Sequence, residues 1–390
     1  MIIKDIVILC GGKGSRLGDI TKHTPKPLLK FHNIEFIQYV INFFSKLGVP
    51  RIFLLAGYKG NLFKKKYHGK IFNLSKVHVL IEKNPLGTGG ALSLLKKKIG
   101  NFFLLINGDS INNFDLSFLT KKVNSIGKMF LIENKNYHTN NKLISLKVKK
   151  KFIIYKKSNL MNSGIYLLNN KILRTLNRKF LSLEDDILPK LIKKNKIEGE
   201  VLKSNFIDIG TKKNFLETAN FIKKNFLKPA VFLDRDGVIN YDYGYVHKYK
   251  NFHWRPGVLQ ALKYLNKKNY YIFLITNQAG IGRGYYNTKD FFLLHKKISD
   301  FLITKKIFID NVKFCPHHPV HGRGKYKKNC QYRKPGNKMI EKIKQEWLID
   351  IKKSFMIGDK ITDKIAAKKS KIKFYYAETN LNAQVKKIIS

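Results

Sequence analysis

The sequence predicts an α/β protein of two units, each built on a largely parallel sheet. Three observations carry that expectation. Short runs of β-branched, leucine and aromatic residues alternate with amphipathic stretches along the whole 390-residue length, the pattern of strands linked by crossover helices. Glycine-rich or acidic turns follow directly after several of these runs, where open α/β sheets gather their ligands. The alternation restarts after the basic, proline-terminated stretch Lys223 to Pro229, as it does across a linker.

In order, Ile6 to Leu9, Ile52 to Leu55, Val77 to Ile81 and Phe102 to Ile106 are predicted strands, and Glu35 to Leu47 and Gly90 to Lys98 are predicted helices. Gly48 supplies a C-terminal stop for the first helix. A helix over Lys212 to Asn225 closes the first unit, which gives domains of 1–225 and 230–390 around a linker at 226–229. The second unit then reads as strand Ala230 to Leu233, helix Gly257 to Asn266, strand Tyr271 to Ile275, helix Thr288 to Ile303 and strand Phe355 to Ile357. The two units share no motif, which argues against duplication.

Composition excludes several classes. At 44% hydrophobic residues the chain is globular, not disordered. No apolar run reaches bilayer length, and Ile6-Val7-Ile8-Leu9 is too short for a signal-peptide core. Three cysteines make no fully paired disulfide framework. A cytoplasmic protein without a membrane partner is expected. The net charge of +50 invites a polyanion, but lysine recurs everywhere with Asn and Ile, as an AT-rich coding bias produces. No nucleic-acid partner is expected, although the surplus attracts anionic sugar phosphates and nucleotides.

A strand opening into Cys10-Gly11-Gly12-Lys13-Gly14-Ser15-Arg16 places backbone amides where a phosphate chain approaches without a Cβ in the way. Alone, such a turn is more often structural. Its companions change that balance. Arg16 offers a guanidinium fork, and Lys26, fixed between Pro25 and Pro27, offers a point charge. Glu82 to Gly90 supplies a second flexible turn, and Asn107-Gly108-Asp109 ends a strand with a carboxylate.

These residues resemble the sugar-phosphate nucleotidyltransferase family over most of residues 1–225, including Asn162-Ser163-Gly164-Ile165-Tyr166 and Phe206 to Thr211. The resemblance implies a Rossmann-like, GT-A-type domain holding a nucleoside triphosphate through Gly11, Gly12, Gly14, Ser15, Arg16, Lys26, Gly87 and Thr88. It further implies sugar-phosphate contacts at Asn162, Gly164 and Glu184, and Mg²⁺ between Asp109 and Asp208. The attacking sugar 1-phosphate oxygen is already ionised. Catalysis by Lys26, Arg16 and the metal is then positioning and charge neutralisation. Where relatives carry a Glu-Lys pair, this chain has Lys156-Lys157, with Lys157 read either as a sugar-phosphate ligand or as a surface charge.

In the second unit, Asp234-Arg235-Asp236-Gly237 follows a strand, and a turn there can aim two carboxylates at one point. Thr276-Asn277-Gln278, Arg333-Lys334-Pro335 before a helix, and Gly358-Asp359 are all expected at carboxyl ends of parallel strands. Together with Asp242-Tyr243-Gly244-Tyr245-Val246 and Cys315-Pro316-His317-His318, they resemble the haloacid dehalogenase superfamily over roughly 229–376. More narrowly, they resemble its heptose 1,7-bisphosphate phosphatases. The resemblance implies that Asp234 attacks phosphorus while Asp236 serves as acid and base. It has Thr276 and Lys334 hold the phosphoryl group and Arg333 read the substrate, with Asp242, Tyr245, Asn277 and Gln278 also among the sugar-phosphate-binding residues. Asp234, Asp359 and the Asp236 carbonyl would hold Mg²⁺.

Relatives with structural zinc use Cys-x-His and Cys-x-Cys, whereas here Cys315 and His317 are followed by Cys330 and then Tyr332. With one thiolate missing, the expectation tips toward a loop packed without Zn²⁺. The first half most resembles heptose 1-phosphate guanylyltransferases, which implies GTP. The expected whole is a bifunctional enzyme of activated-heptose synthesis. The alternatives are a hexose 1-phosphate transferase joined to a histidinol-phosphatase-like half, and a basic nucleic-acid scaffold with dead catalytic domains.

Overall fold

The computed structural model describes residues 3–121, 123–133, 146–156, 158–177 and 179–390, so Lys157 lies outside the described residues. The chain divides into two compact units, Met1–Phe44 with Val49–Ile71 and Ser75–Phe221, and Ile222–Ser390 with Ser45–Gly48 and Phe72–Leu74. Among the described residues, no helix is long and apolar enough to cross a membrane.

The first unit uses strands β1 (Ile3–Cys10), β2 (Arg51–Ala56), β3 (Ser75–Ile81), β4 (Phe102–Asn107), β5 (Ser110–Asn113), β6 (Gly127–Glu133), β7 (Leu160–Asn169), β8 (Ile197–Val201) and β9 (Asn205–Asp208). The four strands expected from sequence lie side by side in the order β4-β1-β2-β3, all parallel. Beyond β4 the sheet turns mixed, because β7 runs antiparallel to both β4 and β6. A largely parallel sheet is therefore only half of this unit. The reason lies in the connections: parallel neighbours need a long crossover, whereas antiparallel ones need only a turn. The stretch from β6 to β7 holds no helix among its described residues.

A second difference concerns the expected helix over Gly90 to Lys98. The chain instead makes a four-residue turn, Gly87–Gly90, that runs into a 3-10 turn, Ala91–Leu95. Three glycines in that turn weaken helix propagation, and the Gly89 and Gly90 amides both donate to the Leu181 carbonyl (2.8 and 3.1 Å). Helix Phe36–Ser45 and helix Lys212–Phe226 fall where the apolar spacing put them. The core packs Val7, Phe53, Leu55, Phe103 and Leu105 against Leu92, Tyr166 and Leu183.

The second unit has five strands among its described residues, β10 (Ala230–Leu233), β11 (Tyr271–Asn277), β12 (Asn311–Cys315), β13 (Phe355–Gly358) and β14 (Lys373–Tyr376). Their order is β12-β11-β10-β13-β14, and every pairing is parallel. Strand alternation sends Val231 and Leu233 to one core with Leu262 and Phe291. Ala230 and Phe232 go to another, with Met339, Ile343 and Trp347. Both faces are thus covered by helices, as a parallel sheet requires.

Candidate active sites

The first site grows from the carboxyl ends of four adjacent strands. Gly11 follows β1, Gly57 follows β2, Glu82 follows β3, and Asp109 lies just past β4. The first two turns touch so closely that a Cβ on Gly57 would stand 2.8 Å from the Gly11 carbonyl oxygen, so only glycine fits there. Gly12 differs: its backbone angle is ordinary, and nothing lies within 4 Å of where its Cβ would be. A cleft of about 580 Å³ opens between these turns, with Lys13, Lys26, Tyr58, Thr88 and Asp109 among its walls.

Lys26 sits in a single 3-10 turn, Lys26–Leu28, fixed by its flanking prolines. Its stem is buried and its ammonium donates to Asp109 Oδ2 at 3.0 Å. Asp208 is brought alongside by β9, which pairs antiparallel with β5 so that Asp208 faces Ser110 and the Ile209 amide donates to the Asp109 carbonyl (2.9 Å). Sequence separated these carboxylates by 99 positions; a short ladder makes them neighbours. The Gly210 amide (2.7 Å) and Asn214 Nδ2 (3.1 Å) hold the Asp208 carboxylate. Arg16 is exposed and reaches toward Gly210, Ser15 is exposed beside it, and Gly14 takes a left-handed angle.

Glu184 accepts from the Thr88 hydroxyl (2.7 Å) and from Tyr166 OH (3.3 Å), which ties the second glycine turn to the Glu184 carboxylate. Asn162 holds the Gly164 amide (3.0 Å) and donates to Tyr166 OH. Gly87 is left-handed and packs on the Leu181 backbone.

The second site sits at the carboxyl ends of β10, β11 and β13. Asp234 is buried, and its Oδ2 pairs with Lys334 Nζ at 2.8 Å. Lys334 is also paired with the buried Asp363 (2.6 Å) and donates to the Ile275 carbonyl (3.0 Å). Burial pushes the Asp234 carboxyl up to about 6; the Lys334 ammonium opposes that rise and Asp363 adds to it. For Lys334, burial favours loss of the proton, but Asp234 and Asp363 outweigh it and keep the ammonium charged. Asp234, Asp359 and Asp363 bring one carboxylate oxygen each within 4.8 Å of one another. Asp359 Oδ1 is buried without a hydrogen-bond partner, a donor set and an orphaned oxygen that fit a hard cation. Gly237 is left-handed against Asp359, with no room for a Cβ.

Asp236 points elsewhere. Its carboxylate accepts from Arg235 NH2 (2.8 Å to each oxygen), Asn240 Nδ2 (3.0 Å) and Gln278 Nε2 (3.0 Å). The two carboxylates of the Asp-x-Asp turn therefore face different partners. Gln278 is buried and fully used, donating also to Thr276 Oγ1 (2.8 Å) and accepting from Tyr286 OH. Asn277 exchanges two bonds of 3.0 Å with the Lys334 backbone, so it positions the lysine turn. Asp242 pairs with Lys360 (3.1 Å), Tyr245 is left-handed and stacks edge-on to Tyr285 at 4.7 Å, and Arg333 donates to the His317 carbonyl (3.3 Å).

Cys315, His317 and Cys330 place their ligand atoms within 4.8 Å of one another. Burial pushes the Cys315 thiol up to about 12. His318 turns its Nδ1 to the Val320 and His321 amides (3.2 and 3.0 Å), and Tyr332 is exposed.

Sequence reasoning assigned no role to Asp363, Arg235, Asn240 or Tyr286. Asp363 carried a signal, since it stands four residues after Asp359 on helix Ile361–Lys369 and its carboxylate caps the Lys360 amide (3.0 Å).

Comparison with known proteins separates the halves in the same way. The nucleotidyl transferase profile matches residues 5–225, and the polynucleotide kinase 3 phosphatase profile matches residues 235–386. The D-glycero-beta-D-manno-heptose-1,7-bisphosphate 7-phosphatase of Rhodopseudomonas palustris is 41% identical over 163 residues, 42% of this chain and 91% of that protein. The protein of the same name from Photorhabdus laumondii is 44% identical over 144 residues, 37% of this chain and 77% of that protein. A crystal structure of HddC from Yersinia pseudotuberculosis complexed with GMP-PN is 29% identical, covering 56% of this chain and 99% of that one, at a TM-score of 0.48. This chain belongs to the nucleotidyl transferase family through its first half and to the haloacid dehalogenase-like family of these 7-phosphatases through its second, and it is a bifunctional enzyme.

Proposed function

We propose that the chain makes a nucleotide-activated heptose in two consecutive steps. The second unit hydrolyses the 7-phosphate of D-glycero-D-manno-heptose 1,7-bisphosphate, and the first joins the resulting heptose 1-phosphate to a nucleotide, GTP being the donor. The observation that carries this reading is the fusion: a phosphatase half 41% identical to a heptose-bisphosphate phosphatase stands on one chain with a nucleotidyl transferase half.

In the phosphatase half, Asp234 attacks phosphorus and the sugar C7 oxygen leaves, taking a proton from Asp236. Water, losing its proton to Asp236, then releases inorganic phosphate from the aspartyl ester. Asp236 must leave its bonds to Arg235, Asn240 and Gln278 to do so. Lys334 and Thr276 hold the phosphoryl oxygens, and Arg333, Asp242 and Tyr245 face the sugar. Asp234, Asp359 and the Asp236 carbonyl, with Asp363 beside them, would hold Mg²⁺, which would neutralise phosphoryl charge.

In the transferase half, the sugar 1-phosphate oxygen attacks the α-phosphorus and pyrophosphate leaves. Lys26 and Arg16 neutralise the phosphate chain, and the amides of the Gly11–Gly14 turn cradle it. Asp109 and Asp208 would hold Mg²⁺, and Glu184 with Asn162 orients the sugar. The test is incubation with heptose 1,7-bisphosphate, Mg²⁺ and each of four triphosphates, with the product identified by mass. A GDP-heptose is expected, and phosphate release with no nucleotide sugar from any triphosphate would overturn the pairing of steps.

The loop around Cys330 is read as packed without zinc. Three donors fall short of the four that a closed structural site uses. Backbone bonds already fasten the loop, from Arg333 N to the Cys330 carbonyl (2.8 Å) and from His318 N to the Tyr326 carbonyl (3.1 Å). Protein purified without chelator is expected to carry zinc far below one equivalent. Cys330→Ala is then expected to change stability by less than about 1 kcal/mol. Stoichiometric zinc, lost in that variant, would reverse this reading.

A further inference from the structure

Two of the three cysteines meet in the second unit, and neither has a part in phosphate release or transfer. Cys315 and Cys330 bring their sulfurs within 4.8 Å of each other, with His317 Nδ1 3.5 Å from Cys315 Sγ. Cys10, the third, is buried in the first unit. With one donor too few for a closed metal site, the facing thiols are left free to react with each other.

The two partners are not equally free to move. Cys315 ends β12 fully buried, faces Asn277 of β11 in the ladder, and accepts the Gln278 amide on its carbonyl (2.8 Å). Cys330 is half-buried and lies in no strand or helix. A small oxidant reaches such a thiol before a fully buried one. The Cys330 carbonyl accepts the amide of Arg333, proposed to face the sugar, at 2.8 Å. Lys334, one residue on, is tied separately. Its backbone exchanges two bonds of 3.0 Å with Asn277, and its ammonium pairs with Asp234 and Asp363. Closing the sulfurs to a bond of about 2.05 Å asks for a shift of at most roughly 3 Å. Because Cys315 and Lys334 are both anchored, that shift falls on Cys330 and Arg333.

We propose that Cys315 and Cys330 form a redox-modification site, at which a peroxide makes a disulfide that displaces Arg333 and weakens substrate binding in the phosphatase half. The Cys330 sulfur attacks hydrogen peroxide, the O–O bond breaks, and the departing hydroxide takes the thiol proton as water, leaving a sulfenic acid. The Cys315 sulfur then attacks the Cys330 sulfur, and the S–O bond breaks as hydroxide leaves with the Cys315 proton as a second water. The thiol pair loses two electrons, and the peroxide gains them. A dithiol reductant reverses the bond.

The inference uses the phosphatase reading for its kinetic readout, while the bond itself is read by mass. The test treats wild type and Cys330→Ala with hydrogen peroxide, maps their unreduced peptides by mass and measures phosphate release from heptose 1,7-bisphosphate. The wild type is expected to yield a Cys315–Cys330 cross-linked peptide. Its KM is expected to rise roughly 10-fold with kcat within a few-fold, and dithiothreitol to reverse both changes. Untreated Cys330→Ala is expected to match the reduced wild type, and peroxide to leave its KM unchanged. Absence of the cross-linked peptide overturns the proposal. So does a cross-link that leaves KM unmoved, or a rise in KM that persists in Cys330→Ala. Failure of the reduced protein to release phosphate removes the phosphatase reading alone, and the peptide map then still decides whether the disulfide forms.

Discussion

Asp234→Asn is expected to abolish phosphate release from heptose 1,7-bisphosphate, by at least about 10⁴-fold in kcat, because an amide oxygen is no nucleophile for phosphorus. The substitution is nearly isosteric. It removes one of two negative partners of Lys334, but Asp363 remains at 2.6 Å, so the buried ammonium keeps a counter-charge. The protein should therefore fold. Supplied directly with heptose 1-phosphate and GTP, the same variant should release pyrophosphate at the wild-type rate. Loss of both activities in a folded variant would contradict independent chemistry in the two units.

The complementary substitution is Lys26→Ala. Lys26 is the one lysine whose ammonium reaches Asp109, at 3.0 Å, among the described residues. If Lys26 neutralises the α-phosphate as proposed, its removal costs about 10³-fold in kcat. Stability should suffer little, since the Asp109 side chain keeps 38% of its surface in contact with water and is not stranded as a buried charge. Phosphate release should be unaffected. A kcat for nucleotidyl transfer within a few-fold of wild type would remove Lys26 from the catalytic set.

What sequence revealed, and what it hid, follows from where each signal resides. Asp109, Asp234 and Asp359 were legible because each directly follows a short apolar run, and that position alone puts a residue at the ligand edge of an α/β sheet. Strand direction beyond β4 was not legible, because direction is set by the connection and no residue of β7 encodes it. Asp236 was found but its surroundings were not. Arg235, Asn240 and Gln278 converge on it from two strands' ends, and Gln278, expected from sequence at the substrate, is consumed inside that network.

Gly12 ties the composition of this chain to its chemistry. The load of lysine, asparagine and isoleucine is the mark of drift toward AT-rich codons, and glycine is spelled by GC-rich ones. Drift therefore erodes glycine wherever nothing resists. At Gly57 the fold resists, because a Cβ would collide with the Gly11 carbonyl. At Gly12 the folded chain offers no resistance, since an added Cβ meets nothing within 4 Å and the backbone angle suits any residue. A side chain at Gly12 would therefore stand in the open cleft, in the space a bound molecule would use, and not against the protein.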